Sequence, residues 1–207
     1  MRDSQNLMLV QNILDSLMPW VAYDEKGKPF IYFEGNRNGF VAVSSKSIYS
    51  YDDYAVVRLS ATENADLTFD ILYEEWPMKE DLLVTTNQIL HFYPPIKLFT
   101  SVSSPSFQYF GWSDVAQRSA AGDFDSFSSP YWSQNYNGLE ALFAPLKAKL
   151  SFETTVGSFQ LTSTLNSPNP GLLTRYEMQP HRSSSKSQVF DLDNIPDESA
   201  AGDECDC

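Results

Sequence analysis

The sequence predicts an α+β fold in which one N-terminal helix packs on antiparallel β-sheet. Three observations predict it. An apolar stripe at steps of three and four is confined to residues 3–18. From residue 30 onward the apolar period changes to two. Residues 146–165 alternate so regularly that they read as one antiparallel hairpin.

The helix is DSQNLMLVQNILDSLM, residues 3–18. Asp3 or Ser4 can cap it, because a short oxygen-bearing side chain accepts from the free N–H groups of a first turn. Leu7, Val10, Leu14 and Leu17 form the stripe, widened by Ile13 and Met18, and Gln11, Asn12, Asp15 and Ser16 lie on the other side. Pro19 stops it.

Strands follow at FIYF (30–33), GFVAV (39–43), AVVRL (55–59) and FDILYEEW (69–76), all rich in β-branched and aromatic residues. Gly27-Lys28-Pro29, Gly35-Asn36-Arg37-Asn38-Gly39 and Glu63-Asn64-Ala65-Asp66 supply turns. A second set comprises ILHFY (89–93), SFQYFGW (106–112), LKAKLSFE (146–153) and SFQLTSTL (158–165). In LKAKLSFE, Leu146, Ala148, Leu150 and Phe152 face in while Lys147, Lys149, Ser151 and Glu153 face out; in the last strand Phe159, Leu161 and Leu165 alternate with Gln160, Thr162 and Thr164. A long loop, 113–144, is rich in Ser, Asn, Gly and aromatics, and loops of that length are usually functional or mobile. The expected domain is 1–178. Residues 179–207 read as a disordered tail, since 191–207 hold seven acids and no base and have little apolar area to bury. No internal repeat is visible.

With 207 residues, 42% apolar and 14% aromatic, the chain can build one core. A net charge of −13 repels phosphate backbones, so nucleic acid is not an expected partner, and an anionic membrane would need an anchor. No run of eighteen apolar residues exists, and the first residues lead into an amphipathic segment, so neither a spanning helix nor a signal peptide is expected. The cysteines, Cys205 and Cys207, stand at the end of the sequence; they could chelate a soft metal or pair between chains, but they cannot build a four-cysteine zinc site.

Candidate chemistry is sparse. Glu74 and Glu75 are adjacent in a strand and point to opposite faces, so they do not converge as a glycosidase pair would, about 5 Å apart. One is expected to be solvated, the other to sit at a sheet edge or pair with Arg58 or a lysine. His91, in phase with Ile89 and Tyr93, reads as a half-buried, hydrogen-bonded residue; His181 falls in the tail, and no nucleophile elbow occurs. Asp123 and Asp125 have the alternate spacing that opens a calcium loop, but the third ligand and the distant glutamate are missing. Neither catalytic residues, metal nor cofactor is therefore expected. Tyr131, Trp132 and Tyr136 in the loop suit a protein interface or a sugar platform, or else Tyr131 and Trp132 fold back over the sheet and seal its edge.

The order of these parts resembles the soluble domain of minor pseudopilins of the J type from type II secretion, and the related minor pilins of type IV pili. The residues that carry the resemblance are the Gly-rich turn from Phe33-Glu34-Gly35 to Phe40, the strand ending Glu75-Trp76-Pro77, Leu98 and Val102 ahead of Phe107-Gln108-Tyr109-Phe110-Gly111, and Pro145 before Leu146–Glu153. It covers residues 1–165. The family's leader and long apolar helix do not occur in these residues, so the resemblance makes 3–18 the lower end of a longer spine helix; the acidic tail and its cysteines are not family motifs. It implies a pilin-like fold and a non-enzymatic role at the tip of a periplasmic filament anchored in the bacterial inner membrane. There the protein would help start assembly with other minor pseudopilins and touch the secreted substrate protein, reaching the membrane only through the missing helix. The candidate interface is Leu7, Val10, Leu14 and Leu17, which could equally serve the chain's own sheet, with 113–144 as a second. The alternative is a stand-alone β-rich module that recognises a glycan or protein through residues 129–138. An enzyme using Asp123, Asp125, Glu74 or Glu75 ranks last.

Overall fold

A computed structural model describes residues 2–50, 53–79, 81–114, 116–117, 129–165, 173 and 175–176. The elements, in chain order, are α1 (Arg2–Asp15), β1 (Leu17–Met18), β2 (Val21–Tyr23), β3 (Pro29–Ile31), β4 (Phe33–Asn36), β5 (Gly39–Ser44), β6 (Ala55–Glu63), β7 (Phe69–Pro77), β8 (Ile96–Gly111), β9 (Tyr131–Ser133), β10 (Tyr136–Asn137), α2 (Gly138–Ala141), β11 (Lys147–Thr154) and β12 (Gly157–Thr164).

Strands β4 to β8 run as an antiparallel meander and continue through β11 and β12. The register follows the turns. Asn36 pairs with Gly39 across the two-residue loop Arg37-Asn38, and Thr154 pairs with Gly157. β8 is 16 residues long and serves two ladders. Its first half pairs with β7 up to Val102↔Phe69; its second pairs with β11 from Ser103↔Glu153 onward. Between them Ser101 and Ser104 adopt left-handed φ values of 53° and 50°, and the register of each ladder slips nearby. Such bulges bend a strand and sharpen its twist. The bend brings the second half of β8 round to the β4–β5 turn, where the Phe107 N–H donates to the Arg37 carbonyl at 3.3 Å.

The architecture is therefore mostly β, a curled antiparallel half-barrel, and the expected pilin-like α+β arrangement of a helix on a sheet does not hold. The 14 residues of α1 plug the curl. Val10, Ile13, Leu14 and Leu17 join Phe33, Phe40, Leu59, Ile71, Phe99, Phe107, Leu150 and Phe152 in the main core. Polar ties fix the helix: Asn6 Nδ2 donates to the Leu98 carbonyl at 2.5 Å and Gln11 Nε2 to the Thr162 carbonyl at 3.2 Å. A second core lies on the opposite face of the sheet, where Val43, Val56 and Trp76 meet Met78 and Leu83. β5 and β6 are thus covered on both sides.

Several boundaries differ from the sequence reading. α1 ends at Asp15, four residues before Pro19, because Leu17–Met18 pair with Val43–Ser44 as β1. The run 30–33 divides at Tyr32, with β3 pairing β2 and β4 pairing β5. Residues 89–93 are not a strand: Pro94 and Pro95 cannot donate to a ladder, and the segment instead lays Leu90 and Phe92 against the second core. The 146–165 hairpin forms as expected, with Leu150 opposite Leu161 and Ala148, Leu150 and Phe152 buried. Asp123, Asp125, His181, both cysteines, the 178/179 boundary and the tail lie outside the described residues.

Candidate functional site

Segment 131–137 spans the mouth of the curl. β9 pairs with the end of β8 (Tyr131↔Gly111, Trp132↔Phe110, Ser133↔Tyr109), and β10 pairs with β4 (Tyr136↔Gly35, Asn137↔Glu34). Ser133 Oγ donates to the Asn135 carbonyl at 2.8 Å and tightens the turn between them. A cleft of about 420 Å³ opens beside this bridge, edged by Glu34, Asn36, Tyr131, Asn135, Asn137 and Glu140. Its floor is built on glycine. A Cβ on Gly35 would fall inside the van der Waals shell of the Tyr109 ring, and one on Gly111 would meet the Tyr136 ring at 3.2 Å.

The three loop aromatics part company here. Tyr131 is 45% exposed and lines the cleft. Trp132, its neighbour on the strand, faces the other way: its ring packs on Phe110 at 5.3 Å, with the Lys149 ammonium 4.4 Å from its centroid. Tyr136 is buried, edge-on to Phe33 at 5.7 Å. Of the helix residues, Val10, Leu14 and Leu17 are in the chain's own core and Leu7 is half-buried against it.

Two asparagines at the cleft have fixed orientations. Asn36 Oδ1 accepts from the Asn38 N–H at 2.8 Å, and Asn137 Oδ1 accepts from the Leu139 N–H at 2.9 Å as the cap of α2. Each amide therefore presents its NH2 group outward. The carboxylates of Glu34 and Glu140 make no hydrogen bond or ion pair among the described residues.

Glu74 and Glu75 do point to opposite faces. Glu74 Oε2 lies 3.2 Å from Arg58 Nη1, across the β6–β7 ladder. Glu75 was missed by sequence reasoning: it is fully buried. Its oxygens accept from the Tyr73 hydroxyl at 2.5 Å, the Ile48 N–H at 2.8 Å, the Tyr49 N–H at 3.1 Å and, closer still, the Ser47 hydroxyl. It pins the 47–50 loop to the sheet. The available signal was its phase, shared with Ile71 and Tyr73. Burial above all, then the Glu75 bond, pushes the Tyr73 hydroxyl pKa far up, and burial does the same at Tyr109. Asp70, also buried, is held below the usual carboxylate range by Lys97 at 2.6 Å and by Asn64 at 2.9 Å. His91 is exposed, not half-buried. Among the described residues no three His, Cys, Asp or Glu side chains gather to hold a metal, and no helix is long and apolar enough to cross a membrane.

No protein-family model and no curated protein matches this chain.

Proposed function

We propose that the protein is a non-enzymatic assembly subunit of a bacterial secretion or pilus filament, of the minor pseudopilin kind, working with other minor pseudopilins. The reading rests on the succession of elements and on α1, not on the pilin-like architecture. The turn at Gly35–Gly39, the strand closing on Glu75-Trp76-Pro77, the long strand ending Tyr109-Phe110-Gly111 and the hairpin behind Pro145 occur in the order that carries the resemblance. The single observation that carries the proposal is the two-sidedness of α1. Its inner stripe is spent on the core, while Asp3, Ser4, Gln5, Met8, Asn12 and Asp15 stay exposed along its length, Met8 at 68%. A helix docked on one side only leaves its other side at the surface, here polar apart from Met8, whose exposed side chain is the apolar group a neighbour could cover. The contact therefore shifts from the apolar stripe to the outer face.

The test is co-purification with other minor pseudopilins. Wild type should retain at least one, and Met8→Glu should lose it while unfolding at the same urea concentration. Retention of none, or retention unaffected by Met8→Glu together with Asn12→Arg, would remove the proposal.

A further inference from the structure

The cleft beside the 131–137 bridge has a polar pattern that narrows what fits it. Asn137 stands directly across the ladder from Glu34, and Asn36 follows Glu34 at the two-residue period, so all three side chains share one face. Directly opposed residues place their Cβ atoms roughly 5 Å apart. The face thus carries a carboxylate acceptor flanked by two amide groups, each oriented by one N–H on its oxygen and each with an NH2 that can only donate. Glu140 adds a second carboxylate from α2, and Tyr131, opposite the side-chain-free Gly111, adds an aromatic face and a hydroxyl.

Three ligand charges can be compared. An anion meets two carboxylates, and no Lys, Arg or His lines the cleft among the described residues. An ammonium or guanidinium carries donors alone and would leave two fixed amide donors facing it unpaired, which is costly on desolvation. A neutral polyol satisfies both sets, since each hydroxyl donates to a carboxylate while accepting from an amide, and the C–H face of a pyranose lies against an aromatic ring. The volume falls in the roughly 300–1,000 Å³ range of small-molecule sites.

We infer that this cleft is a binding site for a neutral saccharide, held by Glu34, Asn36, Asn137 and Glu140 with Tyr131 as the stacking ring. No residue of α1 lines the cleft, so the site stands or falls separately from the assembly reading.

A neutral-glycan array identifies binders, and cellotetraose, chitotetraose, maltotetraose and mannotetraose are then titrated calorimetrically into the full chain, with tetralysine as the cationic comparison. At least one neutral glycan binds. Tyr131→Ala, Glu34→Ala and Glu140→Ala each weaken it about tenfold or more, and Trp132→Ala, altered on the opposite face, changes it less than twofold. All four side chains are exposed, and the three cleft variants probe the site independently should one fail to fold. No neutral glycan bound on the array or by titration, tighter binding of tetralysine, or a loss that follows Trp132 and spares the cleft residues overturns the inference.

Discussion

Replacing Glu75 tests how the sheet holds its neighbouring loop. Four donors converge on this one carboxylate, which is fully buried and has no cationic partner among the described residues. In Glu75→Ala the Tyr49 N–H keeps a substitute, Ser47 Oγ at 3.1 Å. The Tyr73 and Ser47 hydroxyls, whose bonds to Glu75 are buried, have no other acceptor among the described residues, whereas the Ile48 N–H belongs to an exposed residue that water can reach. Each buried donor left unpaired costs about 1–3 kcal/mol, so two amount to about 4 kcal/mol, lowered somewhat by no longer burying the carboxylate itself. Glu75→Gln keeps the shape and one oxygen, which can stay with Ile48 and Tyr73, while the Ser47 hydroxyl turns to accept from the new amide. The charge assistance is lost, and the cost is about 2 kcal/mol. The assay is urea unfolding followed by tryptophan fluorescence, with the slope unchanged between variants. Tyr73→Phe alone should cost about 1 kcal/mol, and much less in the Glu75→Ala background, because the two share one bond. If Glu75→Ala costs no more than Glu63→Ala, a change at an exposed position, the carboxylate does not pin the loop and the reasoning is wrong.

Two further outcomes follow from the same structure. Gly138→Ala would drive a Cβ into the Ile31 carbonyl, a backbone atom that cannot step aside, and should destabilise by about 3 kcal/mol or more in the same unfolding assay, whereas Gly157→Ala, with open space around it, should cost only the strain of its φ of 145°. Stability should also fall in alkali. Tyr73 and Tyr109 both have hydroxyl pKa values raised by burial, so above about pH 10 the unfolded chain releases protons that the folded one retains. Each tyrosine then contributes a slope of about −1.4 kcal/mol per pH unit, absent below pH 10, and a titration of the urea midpoint from pH 8 to 11.5 reads it. Burial raises Tyr32 as well, so Tyr73→Phe should take away about a third of the slope.

Legibility in the sequence tracked how much of each element was decided locally. The 146–165 hairpin was readable to within one residue at each strand end, because alternation and a short turn decide it without outside help. The opposite facing of Glu74 and Glu75 was readable too, and the β4–β5 turn was placed, though it is the two residues Arg37-Asn38 and not 35–39. The β1 pairing was not, since it depends on β5 offering an unpaired stretch beyond β4. The run 89–93 has strand composition, but its place was set by the apolar face of Val43, Val56 and Trp76 that needed covering. The curl that replaces the expected helix-on-sheet arrangement came from Ser101 and Ser104, residues with no strong signal for a left-handed backbone. The cleft was half legible: Tyr131 stood out as an aromatic, but Glu34 and Asn36 belong to it only because β10 folds back across β4. Tyr136, read with Tyr131 as surface, is buried because it sits one position from Asn137 on a paired strand.

β8 is one uninterrupted backbone shared by both arms of the curl, hydrogen-bonded to β7 along one stretch and to β11 along the next. No seam separates the arms, and tension on either margin is handed straight to the other through that strand. A chain wired this way passes a pull on β7 to the β11–β12 hairpin through one strand, without first peeling a flap.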